Sequence, residues 1–332
     1  MVSNPVLTIV VPCYNEEEVL PETVQRLSKI IHALMEDKLI SAKSTVLFVD
    51  DGSKDKTWEL IERFHHSFPF VTGLKLAKNA GHQNALLAGL MTAKEAADCV
   101  ISIDADLQDD VEAIREFMIK FHEGFEVVYG IRKSRTTDTW FKRTTAEGFY
   151  KLMTSMGVKI HDNHADYRLM GKRALDELAN FKEVNLFLRG IVPLIGFPST
   201  VVYYDRHERF AGESKYPLKK MLSFAFDGIT SFSVTPIRFV TLTGFVLFAM
   251  SILAAIYAIV GKLWGTTVSG WTSLILSVWF IGGVQLLALG LIGEYIGKIY
   301  KEVKKRPLYV IEKKVLAPAE AFEEAGSFGR KS

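Results

Sequence analysis

The stretch Val100-Ile101-Ser102-Ile103-Asp104-Ala105-Asp106-Leu107-Gln108-Asp109-Asp110 decides how this chain is read. Its apolar opening, Val100 to Ile103, has the make-up of a buried strand, and it stops at two carboxylates spaced i, i+2. At a strand end that spacing aims Asp104 and Asp106 the same way. Neighbouring buried carboxylates repel each other and lose hydration, a conflict that a divalent cation between or beside them relieves. Oxygen ligands suit Mg2+ or Mn2+, ions that commonly complete their shell with phosphate oxygens. Gln108 could add an amide oxygen or orient a metal-bound water. Asp109 and Asp110 equally suit the start of a helix, where anions are favoured.

Working outward, three earlier apolar runs end in the same manner. Val6–Val11 leads to Pro12-Cys13-Tyr14-Asn15-Glu16-Glu17, Thr45–Val49 to Asp50-Asp51-Gly52-Ser53, and Val71–Leu76 to Lys78-Asn79-Ala80-Gly81-His82-Gln83. Helical spacing follows each one: Val19, Val24, Leu27, Ile30, Ile31 and Leu34; then Trp58 to Phe64; then Ala85 to Leu90. Alternating strands and helices predict an α/β fold with a mostly parallel sheet and helices on both faces. Ligands of such sheets bind at the carboxyl ends of the strands. All four ends here are polar. No Gly-x-Gly-x-x-Gly follows the first strand and no Gly-x-x-x-x-Gly-Lys-Ser/Thr occurs, so dinucleotide and P-loop binding lose their usual support. A metal at the aspartate pair is then the natural holder of a diphosphate, and Asp50 can accept hydrogen bonds from a base or ribose.

The whole chain has 332 residues, room for two domains, and a formal net charge of +2, which gives no global reason to expect nucleic acid. Cys13 and Cys99 sit in apolar, strand-like surroundings and read as small core residues, not a disulfide framework. Met1 to Pro5 pass directly into a strand, without a signal peptide.

Four blocks, Val11-Pro-Cys-Tyr-Asn-Glu-Glu17, Val49-Asp-Asp-Gly-Ser-Lys-Asp-Lys-Thr57, Asn79-Ala-Gly-His-Gln-Asn-Ala85 and Asp104-Ala-Asp-Leu-Gln-Asp109, resemble those of family 2 inverting glycosyltransferases. More closely they resemble the polyprenyl-phosphate glycosyltransferases, the group that includes dolichyl-phosphate mannose synthase and bactoprenol glucosyltransferase. The resemblance runs over nearly the whole chain. It implies a nucleotide-binding GT-A fold, with Pro12, Tyr14, Glu16, Asp50, Asn79 and Asp104 at the nucleotide. Asp106 with Gln108, and Asp104 as a further ligand, would hold the metal.

The second half supplies acceptor residues. Glu126–Tyr129 reads as a strand, followed by Arg132 and Arg135; Phe149–Met156 reads as a helix. In His161-Asp-Asn-His-Ala-Asp-Tyr-Arg-Leu-Met170 the resemblance matches Asp166 to an acidic residue facing the reacting centre. Read alone, Asp166 fits a helix cap or a salt bridge near Arg168. His161 and His164 read as polar loop residues. After a strand at Val201–Tyr204, the segment Asp205-Arg-His-Glu-Arg-Phe-Ala-Gly-Glu-Ser-Lys-Tyr216 resembles the family's basic acceptor block. Arg206, Arg209, Ser214 and Lys215 offer the charge-assisted donors and hydroxyl that a phosphate dianion needs, and read alone they fit a solvated basic loop at a membrane surface.

From Ile237 the character changes. Ile237–Val260 and Trp271–Ile292 are apolar and long enough for the roughly 20 residues of a spanning helix. Arg238 lies at the start of the first run and Lys298, Lys301, Lys304, Lys305 and Arg306 follow the second, whereas the turn between carries only Lys262. The positive-inside rule therefore predicts a two-helix transmembrane hairpin with the catalytic domain and both termini in the cytoplasm. Gly-x-x-x-Gly spacing at Gly293 and Gly297, just past the second run, permits close packing within the hairpin or in a homo-oligomer. Tyr216–Phe232 is amphipathic and suits the bilayer interface. The expected layout is a catalytic domain over 1–215, interface helices over 216–235, two spans over 236–297 (about 237–260 and 271–293), and a basic segment with a loose tail over 298–332.

The expected activity is transfer of a sugar from a nucleotide sugar to a polyprenyl phosphate, in the inner membrane and assisted by Mg2+ or Mn2+. UDP-glucose and undecaprenyl phosphate are the preferred pair; N-acetylglucosamine, mannose and aminoarabinose donors are alternatives. Such a lipid-linked sugar implies a flippase and a downstream glycosyltransferase as partners in cell-envelope glycosylation. A processive synthase is disfavoured, because Gln-x-x-Arg-Trp is absent and two spans are too few for a channel. A non-catalytic nucleotide-sugar sensor or flippase scaffold is the reading from another class.

Overall fold

A computed structural model describes residues 4–133, 164–184, 188–205, 235–263 and 270–316. The chain divides into two compact units. One carries the strands and the short helices; the other carries two long apolar helices.

In the first unit, β1 (Leu7–Cys13) is buried along its whole length, as an uninterrupted apolar run covered on both faces must be. It is followed by α1 (Leu20–Glu36), β2 (Thr45–Asp50), α2 (Thr57–Ser67), β3 (Val71–Leu76), α3 (His82–Ala93), β4 (Cys99–Ser102), α4 (Ala113–His122) and β5 (Val127–Arg132). Then come β6 (His164–Gly171), α5 (Lys172–Leu178), α6 (Leu188–Ile191) running into a 3-10 turn at Val192–Ile195, β7 (Ser199–Tyr204) and β8 (Ile311–Val315).

The eight strands form one sheet in the order β7-β5-β6-β4-β1-β2-β3-β8. Its centre is parallel: β4, β1, β2 and β3 run together, with Val10 level with Leu47 on one side and Ser102 on the other. Towards one edge β6 runs antiparallel between β4 and β5, and β7 is parallel to β5. At the other edge β8 pairs antiparallel with β3. The period of two sorts the side chains: Leu7, Ile9 and Val11 join the core cluster with Leu27, Ile31 and Leu34 of α1 and Phe117 of α4. Val10 points to the opposite face, where α3 lies so close that a Cβ on Gly89 would strike Val10 and Val49.

Two strands escape the sequence reading. In β6 the alternating positions Asp166 and Arg168 are polar and buried, so the apolar pattern that signals a strand is missing on that face. His164, read as a loop residue, is its first residue. β8 (Ile-Glu-Lys-Lys-Val) is a charged edge strand in what was read as a basic segment; Glu312 pairs with Lys75 at 3.2 Å and Lys313 with Glu62.

The second unit contains α7 (Thr235–Leu263) and α8 (Trp271–Lys304), which touch one another. Their 29 and 34 residues exceed the expected 237–260 and 271–293 at both carboxyl ends. Among the described residues, Phe280–Lys304 is long and apolar enough to cross a membrane, while the apolar stretch Thr235–Leu247 in α7 is shorter. The length criterion is thus met once, not twice as the expected hairpin requires. The expected interface helices at 216–232 and the helix at Phe149–Met156 lie outside the described residues.

Candidate active site

The loops at the carboxyl ends of β1, β2 and β3 are stitched together before any ligand is considered. Asn15 takes a left-handed backbone (φ 54°), its N–H donating to Ser53 Oγ (2.9 Å) and its Oδ1 accepting from Lys54 N (2.8 Å). Glu16 N donates to Thr57 Oγ1, and Glu17 Oε2 accepts from Lys56 N, each at 2.9 Å. Asp51, which the sequence reading passed over, grips the third loop: its two oxygens accept from Ala80 N (2.6 Å) and Gly81 N (2.9 Å). Gly52 makes this approach feasible, since at φ 66° a Cβ there would lie 2.6 Å from Asn79 N.

Asp50 is the last residue of β2 and fully buried. Its Oδ1 accepts from Ser53 N at 3.1 Å, but Oδ2 has no hydrogen-bond partner among the described residues. Burial raises its pKa, partly offset by the Ser53 hydrogen bonds. An orphaned buried carboxylate oxygen is costly, and it marks a position where a ligand donor would be welcomed. Pro12 lies within β1, Tyr14 and Glu16 are half-buried on the loop after it, and Asn79 is exposed on the loop after β3.

The acidic motif differs from expectation in its backbone. β4 ends at Ser102, so Asp104 and Asp106 stand on the turn beyond the strand and not at its last residues. Their common orientation survives because alternation continues: Ile103, Ala105, Leu107 and Asp109 are buried, whereas Asp104, Asp106, Gln108 and Asp110 are half-exposed. Leu107 pays for this path with a left-handed backbone (φ 57°). Gln108 N donates to Asp106 Oδ1 (3.2 Å) and Thr23 Oγ1 donates to Ala105 O (3.0 Å), fixing the turn. Oxygen donors in one accessible row fit Mg2+ or Mn2+. No group of three or more His, Cys, Asp or Glu suited to a metal occurs among the described residues, so the protein would supply a partial shell that a diphosphate could complete.

Beside this turn lies a charge cluster centred on Asp166, which is 6% exposed. Arg168 Nη2 donates to its Oδ1 at 2.5 Å; Arg189 donates through Nε (3.2 Å) and Nη2 (3.0 Å), and Gln83 Nε2 to Oδ2 at 3.2 Å. Gln83 Oε1 in turn accepts from Leu188 N (3.2 Å), tying α3 to α6. His82 Nε2 lies 3.6 Å from both Asp104 Oδ1 and Asp166 Oδ2. Burial opposes a charge on His82, but Asp166 and Asp104 prevail and lift its pKa to about 9. Burial likewise works against the Asp166 carboxylate, yet Arg189, His82 and Arg168 hold it well below the usual range. Burial pushes Asp104 up to about 6, against the pull of His82. The salt bridge with Arg168, left open in the sequence, is the arrangement found; Asp166 lies on a strand and caps no helix.

Arg132, expected at the acceptor phosphate, is matched internally. Its Nη2 donates to the buried Asp109 (3.2 Å) and its Nε to Tyr204 Oη (3.3 Å). Arg135, Arg206, Arg209, Ser214 and Lys215 lie outside the described residues. His82, Gln83 and Arg189 were missed as site residues. His82 and Gln83 had a signal, because they sit in a strand-end block; Arg189 had none, as nothing local links it to Asp166.

Comparison with known proteins shows the family. Residues 8–179 match the family model "Glycosyl transferase family 2". The chain belongs to glycosyl transferase family 2, and it is a glycosyltransferase with a mixed sheet flanked by helices. It is 64% identical over 310 residues (93% of this chain, 92% of the other) to Bacillus subtilis YkoT, named an uncharacterized glycosyltransferase. It is 41% identical over 309 residues (92% of this chain, 97% of the other) to the SfII prophage-derived bactoprenol glucosyl transferase of Shigella flexneri. Among solved structures it is similar to the mannosyltransferase PcManGT of Pyrobaculum calidifontis, at 14% identity and TM-score 0.45, covering 91% of this chain and 88% of that one.

Proposed function

We propose that this protein transfers glucose from UDP-glucose to undecaprenyl phosphate at the cytoplasmic face of a bacterial membrane, with inversion at the anomeric carbon. The observation that carries the reading is the polar rim: an orphaned Asp50 oxygen and the Asp104, Asp106, Gln108 row together, in a chain 41% identical to a protein named bactoprenol glucosyl transferase. Pro12, Tyr14, Glu16, Asp50 and Asn79 would seat the nucleoside, with the free Asp50 oxygen accepting from the base. Asp106 and Gln108, with Asp104, would hold Mg2+ or Mn2+, which when bound neutralises charge on the departing diphosphate.

A phosphate monoester has a second pKa near about 6, so the acceptor is already largely dianionic at neutral pH. Its oxygen bonds to the anomeric carbon as the bond from that carbon to the diphosphate breaks, and the electron pair leaves with UDP. No proton need move. Asp166 supports this account: a carboxylate offers about four acceptor positions, and four donated hydrogen bonds already fill them. Its role is to orient Arg189 and His82 and to set the local field. Arg135, Arg206, Arg209, Ser214 and Lys215 would steer the acceptor phosphate.

Large exposed apolar side chains support a membrane anchor: Phe239, Phe245, Leu253 and Tyr257 of α7, and Leu286 and Leu287 of α8, are each more than two-thirds exposed. Only lipid or another apolar surface relieves that exposure. Arg238 near one end and Lys298, Lys301, Lys304, Lys305 and Arg306 near the other fit a two-span hairpin with both ends cytoplasmic.

Detergent-purified protein, undecaprenyl phosphate, Mn2+ or Mg2+ and a panel of radiolabelled nucleotide sugars test the proposal. A chloroform-soluble product from UDP-glucose, lost in Asp106→Ala and Arg206→Ala, is expected. Product from a different donor alone replaces the sugar; none from any donor, despite nucleotide binding, overturns the transferase reading in favour of a sensor.

A further inference from the structure

The acidic turn is anchored by a buried network that the reaction itself does not call on. Asp109, three residues beyond Asp106, has a side chain 1% exposed. One of its oxygens, Oδ1, accepts both from Tyr204 Oη at 2.6 Å and from Arg132 Nη2 at 3.2 Å, and Arg132 Nε closes the triangle on Tyr204 Oη at 3.3 Å. Arg132 and Tyr204 are register partners at the last positions of β5 and β7. A second tie runs in parallel: Tyr167 Oη donates to Asp110 O at 2.9 Å. The Tyr204 ring is held independently of its hydroxyl, edge-on to Tyr167 with centroids 5.2 Å apart. Meanwhile Leu107 keeps a left-handed backbone, a conformation that persists only where its surroundings over-determine it.

We infer that Asp109 is a positioning residue: clamped by Tyr204 and Arg132, it holds the Asp104–Gln108 turn in the shape that presents Asp106 and Gln108 to a divalent cation. The inference rests on the proposed metal-assisted transfer and deepens it. A carboxylate at this position would ordinarily suggest a substrate contact, but its burial and the two internal donors on Oδ1 leave it facing the fold.

The test is binding of Mn2+ to the full-length protein in detergent with saturating UDP, followed by electron paramagnetic resonance of the free ion, alongside thermal unfolding. Tyr204→Phe keeps the ring and removes the hydroxyl; Asp109→Ala removes the clamp; Asp109→Asn keeps an oxygen for Tyr204 but no charge for Arg132. Leu34→Ala, in the core of α1, is a control for general destabilisation. The expected result is Mn2+ affinity lowered about tenfold in Asp109→Ala and Tyr204→Phe, an intermediate value in Asp109→Asn, and parental affinity in Leu34→Ala. Parental affinity in both clamp variants, an equal loss in Leu34→Ala, or no Mn2+ binding by the parent overturns the inference. A parent that binds Mn2+ in this pattern but makes no lipid product defeats the transferase reading alone.

Discussion

Asp166 shows how residue chemistry narrows a role. A general base needs a free lone pair and a pKa near the working pH; this carboxylate has neither, being filled with donors and held well below the usual range by its arginines. Asp166→Asn should therefore behave as the breaking of a buried ion pair, costing about 3–5 kcal/mol and lowering the thermal midpoint together with activity. Activity lost at an unchanged midpoint would restore the base. The sign with pH follows. A carboxylate with a depressed folded pKa contributes stability above its unfolded value of about 3.9, and that contribution is lost as pH falls through the folded pKa. The parent's midpoint should drop on acidification below about pH 4, and Asp166→Asn should flatten that limb. Asp50→Asn probes a different kind of residue: with one buried oxygen unpaired, replacement by an amide should change folding little and weaken UDP binding by about tenfold, read by calorimetry. At this scale the sequence was informative wherever a residue sat in a strand-end block. It was silent on Arg189, whose partner lies 23 positions away and whose neighbours carry no pattern.

Among the elements, continuous apolar runs betrayed the parallel strands, since a strand buried on both faces needs little else. The Val71–Leu76 strand was delimited to the residue. What stayed hidden were strands whose character is borrowed from partners. β6 carries Asp166 and Arg168 on one face, tolerable inside a sheet because they pair with each other and Asp166 also with Arg189, and β8 reads as a basic tail until Lys75 and Glu62 are placed opposite it. The turn after β2 has a sharper requirement. Gly52→Ala would force a Cβ against Asn79 N and a left-handed alanine at once, so a loss of about 1–3 kcal/mol is expected, with weaker nucleotide binding as the Asn79 loop shifts. An unchanged midpoint would show that the loop can yield.

For the whole molecule, the apolar composition after Thr235 marks where α7 and α8 lie. Their ends were less legible: α8 runs on to Lys304, its last turns rich in lysine, since helical hydrogen bonding does not stop where the apolar surface does. The exposed apolar faces of α7 and α8 predict that the expressed protein sediments with membranes and resists extraction by high salt or alkaline carbonate, yielding to detergent. Recovery in the soluble fraction would remove the anchor.

β8 has a consequence for how the protein is made. The strand that covers the free edge of β3 is encoded after both long helices, at positions 311–315. A ribosome therefore releases the segments of β1 to β7 long before that edge can be covered, and the nascent catalytic unit must wait with β3 open while the apolar helices emerge. Exposed strand edges invite pairing with other chains. Delays at this stage, from slow codons, should thus raise aggregation through the edge of β3, and a chain stopped at Lys305 should carry the same liability permanently.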